Sequence, residues 1–370
     1  MTVHGEELVI NMGPQHPSTH GVLRLLLKTD GEVVGEALPQ IGYLHRCFEK
    51  SAERVSWNGV VPYTDRMDYV AAISNEWSFV LAAEKLGNAT VPERGEYCRV
   101  ISAELQRIAS HLVAFGTFGI DMGAFTPFLH AFRDREKILD ILEMMSGARL
   151  LYHYIRIGGV MSDCDSKICE MIKLFIKDMR TRLPEYHQLL SYNRIFIERT
   201  ANVGIITREQ AINYNITGPN LRATGMEWDL RKCDPYSIYD RFEFKIAVGT
   251  CEHGVSGDSW NRYMVRLIEI EESLKILEQA VEQIPAGPIS AAIKVFKPAP
   301  GEIYARTEGA RGEIGFYVIS DGDLKPFRVK AKSPSFCALS GFHEYSRNLM
   351  IADLVALLGS IDIVLGEVDR

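Results

Sequence analysis

Apolar positions along this chain change their period twice. Near the start, residues 7–11 and 22–27 read as strands on either side of a short loop, and a third strand-like run follows over 32–37. Asp30-Gly31 stands between the second and third runs, and its turn chemistry predicts a hairpin. From about Arg66 the spacing becomes helical. Ile101, Leu105, Ile108, Leu112 and Phe115 recur three and four apart within 97–118, the mark of one buried helix face. A second helix is predicted over 127–145, with a charged surface turn at 133–137. Residues 164–190 and 262–283 are also amphipathic, the latter with Met264, Leu267, Leu274, Leu277 and Val281 on one side. Residues 199–257, rich in Gly, Asn and Thr, read as loops with short helical pieces. Strand text returns between about 293 and 332, in 313–319 and 327–330 around an Asp321-Gly322 turn. A final helix over 349–358 leads into the last residues. With no internal repeat, the pattern predicts an α+β chain, mainly α: a helical bundle with a small antiparallel β part. Its expected organisation is a β-rich region with a histidine loop (1–65), a helical core (66–292), and a hairpin, final helix and C-terminal segment (293–370).

Composition narrows the function classes. A formal net charge of −7 argues against nucleic acid as a partner. No run approaches the roughly 18–20 apolar residues that span a bilayer; the longest apolar zone, 112–125, is broken by Asp121. The first residues lack a basic segment, so no secretory signal is expected. The seven cysteines are odd in number and contain no CxxC, with Cys164 and Cys169 the closest pair. That set suits reduced, mostly buried thiols and supplies neither an iron–sulfur cluster nor another metal site.

The candidate chemistry begins in Gly13-Pro14-Gln15-His16-Pro17-Ser18-Thr19-His20-Gly21. Pro17 fixes its own φ and pushes His16 out of the α region, which makes this a shaped loop. Its two imidazoles either serve ligand or proton chemistry or cap backbone groups at a hairpin tip. The i,i+4 spacing of His16 and His20 is that of helical zinc ligands, but Pro17 opposes a helix and no HExxH glutamate is present. Tyr69 opens a helix-like stretch that begins at Arg66, and is either a core tyrosine with its hydroxyl tied to a carbonyl or a functional donor. Asp121 interrupts an apolar zone, so it must be paired or protonated. It either caps the next helix or partners a functional group. No phosphate-binding glycine motif and no GxSxG occurs.

Taken together, the motifs are more specific. The histidine loop, Gly42-Tyr43-Leu44-His45-Arg46, Asp65-Arg66-Met67-Asp68-Tyr69-Val70, Asp121-Met122-Gly123-Ala124, Ser146-Gly147-Ala148-Arg149, Ile155-Arg156-Ile157-Gly158-Gly159-Val160, Ala310-Arg311-Gly312-Glu313 and the ending Gly366-Glu367-Val368-Asp369-Arg370 stand in one order. In that order, and over essentially its whole length, the chain closely resembles the 49-kDa-type (D-type) family of subunits in proton-pumping NADH–quinone oxidoreductase, respiratory complex I. The related subunit of the ferredoxin-driven plastid and cyanobacterial complex shares much of the pattern.

The resemblance implies the fold of the nickel–iron hydrogenase large subunit with its metal centre lost; Cys47 alone cannot replace four thiolates. It implies a cavity for a quinone headgroup beside the terminal [4Fe–4S] cluster of the neighbouring B-type subunit, with no metal on this chain. Tyr69 and His20 would hydrogen-bond the quinone carbonyls and donate protons, Asp121 would pair with His20, and His16, Arg66 and Val364 would shape or line the cavity. Arg46 would face the partner's cluster. The implied partners are the B, C, I and H subunits of the complex, which would hold the chain peripherally on the cytoplasmic side of the cell membrane in a translocase driven by NADH. A ferredoxin-driven relative, a hydrogenase-type subunit and a non-catalytic scaffold are the rival readings. Two departures stand out: Cys47 where the family usually has glycine, and Leu151 where many members have histidine, with His153 two residues on.

Overall fold

The long helices form where the 3.6-residue pattern is strongest, and the short elements form where tertiary contacts select them. The computed structural model describes residues 7–15 and 21–370. The chain opens with strands β1 (Glu7–Met12), β2 (Arg24–Asp30) and β3 (Val33–Gln40), then helices α1 (Phe48–Ala52), α2 (Trp57–Thr64), α3 (Ala72–Gly87), α4 (Glu93–Asp121) and α5 (Phe125–Ser146). A two-stranded ribbon, β4 (Ile155–Arg156) and β5 (Gly159–Val160), precedes α6 (Ser166–Tyr186), which runs on into a π-turn, His187–Ser191. The short helices α7 (Arg194–Thr200), α8 (Arg208–Asn213), α9 (Pro219–Arg222) and α10 (Leu230–Cys233) lead to the long α11 (Ser259–Gln283). Strands β6 (Gly301–Glu308), β7 (Glu313–Ser320) and β8 (Arg328–Lys332) follow, then α12 (Pro334–Ser340), α13 (Phe342–Tyr345), α14 (Ile351–Ile361) and α15 (Leu365–Asp369). The chain is thus mainly α with small antiparallel sheets.

Helix α4 packs on α5 and α11, and α6 packs on both of the latter. The predicted stripe Ile101, Leu105, Ile108, Leu112 and Phe115 is buried in the main core. The opposite side of α4 is buried too, and it carries Arg99, Glu104, Arg107 and His111. A helix apolar on one side and ionic on the other, yet buried all round, has to be met by complementary charges.

A second, smaller core joins the two ends of the chain. Leu23, Leu25 and Leu27 pack with Leu354, Leu357, Leu358 and Ile361 of α14 and with Ile363, Leu365 and Val368 beyond it. The expected hairpin between β2 and β3 forms, with Asp30 opposite Val33 and Gly31 at φ 60°. Between β7 and β8 the expected tight Asp321-Gly322 turn is instead a longer connection of bends over residues 321–327, with Gly322 at φ 90°.

Three further differences from the sequence reading have local causes. Strand β6, which no periodicity announces, has few large apolar residues and is positioned by its register on β7, Glu308 opposite Glu313. Helices α1 and α2 are too short for a helical period to register; Ser56 caps α2 through the Gly59 amide. Residues 65–71 form a turn and not a helix start, so α3 begins only at Ala72. Among the described residues, no helix is long and apolar enough to cross a membrane.

Candidate functional site

A cavity of about 350 Å³ opens where the turn before α3, the end of α4, the β6–β7 hairpin and the α14–α15 link converge. Tyr69, Asp121, Arg311, Asp362 and Val364 line it, with Val113 and Ile120 among the apolar wall residues.

Tyr69 sits on the turn, and Asp68 shapes that turn. One oxygen of Asp68, Oδ1, accepts the Val70 and Ala71 amides at 3.1 Å each. The other, Oδ2, accepts Arg311 Nη1 at 2.6 Å. Such short-range carboxylate-to-amide bonds compete with helix and explain why α3 starts late. From α4, Gln106 Oε1 accepts the Ile73 amide at 2.6 Å and so supplies the cap that the sequence lacks locally. Arg311 ties the site together: it also donates to Ser110 Oγ at 3.2 Å, to the Asp362 carbonyl at 3.0 Å and to Asp362 Oδ1 at 3.4 Å. Burial alone would lower its pKa, but Asp362 and Asp68 outweigh that and raise it. Burial also raises the pKa of the Tyr69 phenol, with Arg311 and Arg46 opposing. Tyr69 is nevertheless 41% exposed, so a proton-bearing donor faces the cavity.

Asp121 is the last residue of α4, and the N-cap of α5 is Ala124, without a side-chain cap. The helix-cap reading of Asp121 is therefore not realised. Its carboxylate lies against α14, where a Cβ at Gly359 would come within 2.7 Å of Asp121 Oδ2. Asp362 ends α14 in the left-handed region at φ 53°. Its Oδ2 lies 3.6 Å from Arg266 Nε, beyond hydrogen-bond range, and neither atom finds another partner. A Cβ at Gly366 would meet the Met67 carbonyl at 2.6 Å, so glycine there lets α15 close on the Tyr69 turn.

A buried acid and a buried acid pair stand behind the cavity. Glu367 accepts Ser335 Oγ at 2.5 Å, its Oε1 has no partner, and burial followed by the Asp68 charge pushes its carboxyl up to about 7. Asp65 and Glu76 are fully buried and act on each other electrostatically, and Asp65 Oδ1 and Glu76 Oε1 have no other hydrogen-bond partner. Asp65 Oδ2 accepts the His153 amide at 3.1 Å and Glu76 Oε2 accepts the Ile155 amide at 2.7 Å. Two buried carboxyl groups that act on each other resist ionising together. Burial raises both pKa values, that of Glu76 well above the usual carboxyl range.

The structure separates the expected site residues into groups. Tyr69, Asp121 and Val364 meet in one cavity. Arg66 is not in its lining; its guanidinium bonds the Pro62 carbonyl and lies 3.2 Å from His153 Nε2, which is itself 3.1 Å from Asp65 Oδ2. Arg46 is exposed and donates to the Arg66 carbonyl. His16 and His20 lie outside the described residues. Gly21, the first described residue after them, stands against Leu365, where a Cβ would be 3.3 Å from Leu365 Cδ1. Cys47 has φ 55°, a conformation that suits the glycine usual in the resembling family. Leu151 and His153 also have positive φ, 57° and 47°.

Arg311 and Asp68 were quoted in sequence motifs but not read as site residues, and neither was Asp362. Nothing local marks them, because their role exists only once the hairpin, the turn and the α14 end are brought together. Chemically, the cavity has apolar walls, a phenol donor, the Asp121 and Asp362 carboxylates and the Arg311 guanidinium. That combination suits a compact, largely apolar ligand with polar oxygens.

A family model described as respiratory-chain NADH dehydrogenase, 49 Kd subunit, matches residues 121–296 and 290–370. The chain is 53% identical over 370 residues to the NADH-quinone oxidoreductase D subunit of Prosthecochloris aestuarii, covering 99% of this chain and 92% of that protein. The D subunit of the Chlorobium luteolum oxidoreductase is also 53% identical, over 99% of this chain and 94% of its own. That of Chlorobaculum parvum is 50% identical, over 99% and 92%.

Proposed function

Because the chain belongs to the 49-kDa subunit family of the respiratory-chain NADH dehydrogenase, we propose that its cavity receives the headgroup of the quinone that this oxidoreductase reduces. Quinone becomes quinol by taking up two electrons and two protons. The electrons arrive from the terminal [4Fe–4S] cluster of the neighbouring B-type subunit, and this chain carries none of them itself.

Its own residues supply donors and protons. Negative charge develops on both quinone oxygens during reduction, and donors placed in advance stabilise it. The Tyr69 hydroxyl donates to one oxygen. Burial keeps that phenol protonated until a stronger base draws on it. His20 serves the other oxygen, with Asp121 orienting the imidazole and favouring its charged form. When His20 gives up its proton, its pairing with Asp121 weakens, and that change is the first electrostatic step towards proton pumping. His16, Arg66 and Val364 shape the pocket, and Arg46 places a fixed positive charge towards the cluster. The B, C, I and H subunits hold the chain peripherally on the cytoplasmic side of the cell membrane.

One observation carries the reading: Tyr69, Asp121 and Val364, distant in sequence, line a single cavity of about 350 Å³ with apolar walls. Tyr69→Phe tests it in the assembled complex. We expect quinone reduction to fall by about a hundredfold or more, the usual cost of losing one such donor. NADH oxidation by a soluble artificial acceptor, which does not use the pocket, should be unchanged. Full quinone reductase activity in this variant would remove Tyr69 from the chemistry. Loss of both activities would favour the scaffold reading.

A further inference from the structure

Away from the cavity, the link from β5 into α6 gathers thiols that the quinone chemistry does not use. Cys164 and Cys169 are both free and buried, and their sulfurs lie 3.8 Å apart. Cys164 precedes the N-cap Asp165, while Cys169 lies in the first turn of α6, its Sγ 3.9 Å from the Cys164 carbonyl. Arg94, from α4, donates to that same carbonyl at 3.0 Å and clamps Asp163 at 2.7 Å. The two thiols therefore differ in character. The hydrogen bond from Cys164, helped by Arg94 and Lys173 and opposed by burial, lowers Cys169 to about 7. That same bond, followed by burial, raises Cys164. Cys98, nearby, is raised by burial to about 11. A thiolate-prone cysteine at a helix start, touching a protonated neighbour, is the arrangement of an attacking and a resolving thiol.

We propose that Cys164 and Cys169 are an oxidation site for hydroperoxides, closing to a disulfide. The Cys169 thiolate attacks the peroxide O–O bond; an S–O bond forms and the distal oxygen leaves as hydroxide, which is protonated to water. The Cys164 sulfur then attacks the Cys169 sulfenic acid. An S–S bond forms, and the hydroxyl leaves as water with the Cys164 proton. Two thiols lose two electrons in all, and one hydrogen peroxide becomes two waters. Closure draws the sulfurs from 3.8 Å to about 2.05 Å. The bridge then staples the loop that carries Asp163 to the start of α6.

The purified intact complex is treated with hydrogen peroxide near neutral pH, its remaining thiols are alkylated, and it is digested with trypsin without reductant. Lys167 lies between the two cysteines, so cleavage there releases residues 157–167 and 168–173, which only a disulfide holds together. The expected product is this linked pair, lost on reduction with dithiothreitol and still formed in Cys98→Ser. In Cys164→Ser, Cys169 should instead accumulate as sulfinic acid. The proposal is overturned if both peptides are recovered separately alkylated while the exposed Cys47, Cys233 and Cys251 are oxidised, or if Cys98 is the residue linked to Cys164.

Discussion

Two sets of buried arginines and carboxylates stand in this molecule, and they are satisfied to different degrees. In the centre, Arg231 joins Glu104 at 3.0 Å, Asp229 at 2.7 Å and Glu269 at 3.1 Å, while Arg222 joins Glu269 and Glu308 at 2.7 Å each. Tyr239 and Ser273 add hydroxyl bonds to Glu104, His111 bonds Glu269, and the Leu230 amide reaches Glu308. Both oxygens of all four carboxyl groups are thus served. Beside the cavity, Asp68, Arg311, Asp362 and Arg266 form a second series, but Asp362 Oδ2, Arg266 Nε and Glu367 Oε1 have no partner. The centre still leaves Arg222 Nε and His111 Nδ1 without a hydrogen-bond partner, but carboxylates bonded through both oxygens lock helices in place. Carboxylates with an open oxygen beside a cavity, as Asp362 and Glu367 have, keep electrostatic capacity that a ligand or a proton can use. The central set is architecture, and the cavity set is machinery.

The strongest way to break this contrast is Arg231→Met. It takes from Asp229 its two-pronged partner and from Glu104 one of its two guanidinium partners, and removing one partner of a buried pair costs about 3–5 kcal/mol. We expect a large drop in thermal stability or failure of the chain to assemble. A melting temperature within a degree or two of the parent would show that the central network does not support the fold.

The second test concerns pH. The centre holds Arg107, Arg222 and Arg231 against Glu104, Asp229, Glu269 and Glu308, three positive groups against four acidic ones. Glu308 is pushed up to about 7, by burial and then by Asp229, so it is the acid that carries the balancing proton. Glu367 is raised similarly beside the cavity. A carboxyl raised in the folded state binds more protons there than in the unfolded chain. Its stabilisation is therefore full below its ordinary pKa, falls as pH rises through about 7, and is flat above that. The contribution is on the order of 1–3 kcal/mol per group. Glu308→Gln and Glu367→Gln should each flatten the fall in unfolding free energy between acid and neutral pH, as read from thermal melts. Unchanged pH slopes would mean that neither group holds its proton.

A smaller effect is expected from Asp68→Ala, which removes the acceptor of the Val70 and Ala71 amides and the partner of Arg311. If the turn positions Tyr69, quinone reduction should fall by about tenfold, the equivalent of ~1.4 kcal/mol, with artificial-acceptor activity kept. An unaltered quinone rate would place Asp68 with the architectural set. The weakest effect concerns the cluster that the proposed function places in the neighbouring subunit. By the family resemblance Leu151 stands where many members carry histidine, and His153 is already engaged with Asp65 and Arg66. The cluster potential should therefore vary little with pH when titrated and followed by EPR. A steep slope that persists in His153→Ala would defeat this expectation.

Periodicity announced α4, α5, α6 and α11 because each buries a continuous apolar stripe, a property that sequence spacing expresses directly. The β2–β3 turn was legible for the same kind of reason, since Asp-Gly prefers turns whatever surrounds it, whereas Asp321-Gly322 became part of a longer loop. Helix α3 was misread at its start because its cap, Gln106, comes from another helix. Strand β6 went unread because its pairing with β7, not its own pattern, makes it a strand. Tyr69, Asp121 and Val364 could be singled out beforehand, whereas Arg311 as their organiser could not.

By itself, the amino-acid order determined the long helices, the tight turns and the family, since each is written in neighbouring residues or in motifs that stay contiguous. Only the folded chain decided that a turn, a helix end, a hairpin and the C-terminal segment should surround one cavity, and which buried charges would be left with an open position. Those outcomes depend on contacts between residues hundreds of positions apart. Burial makes every missing hydrogen bond costly, so whether a charged side chain braces the fold or serves the site is settled by its distant neighbours and not by its place in the sequence.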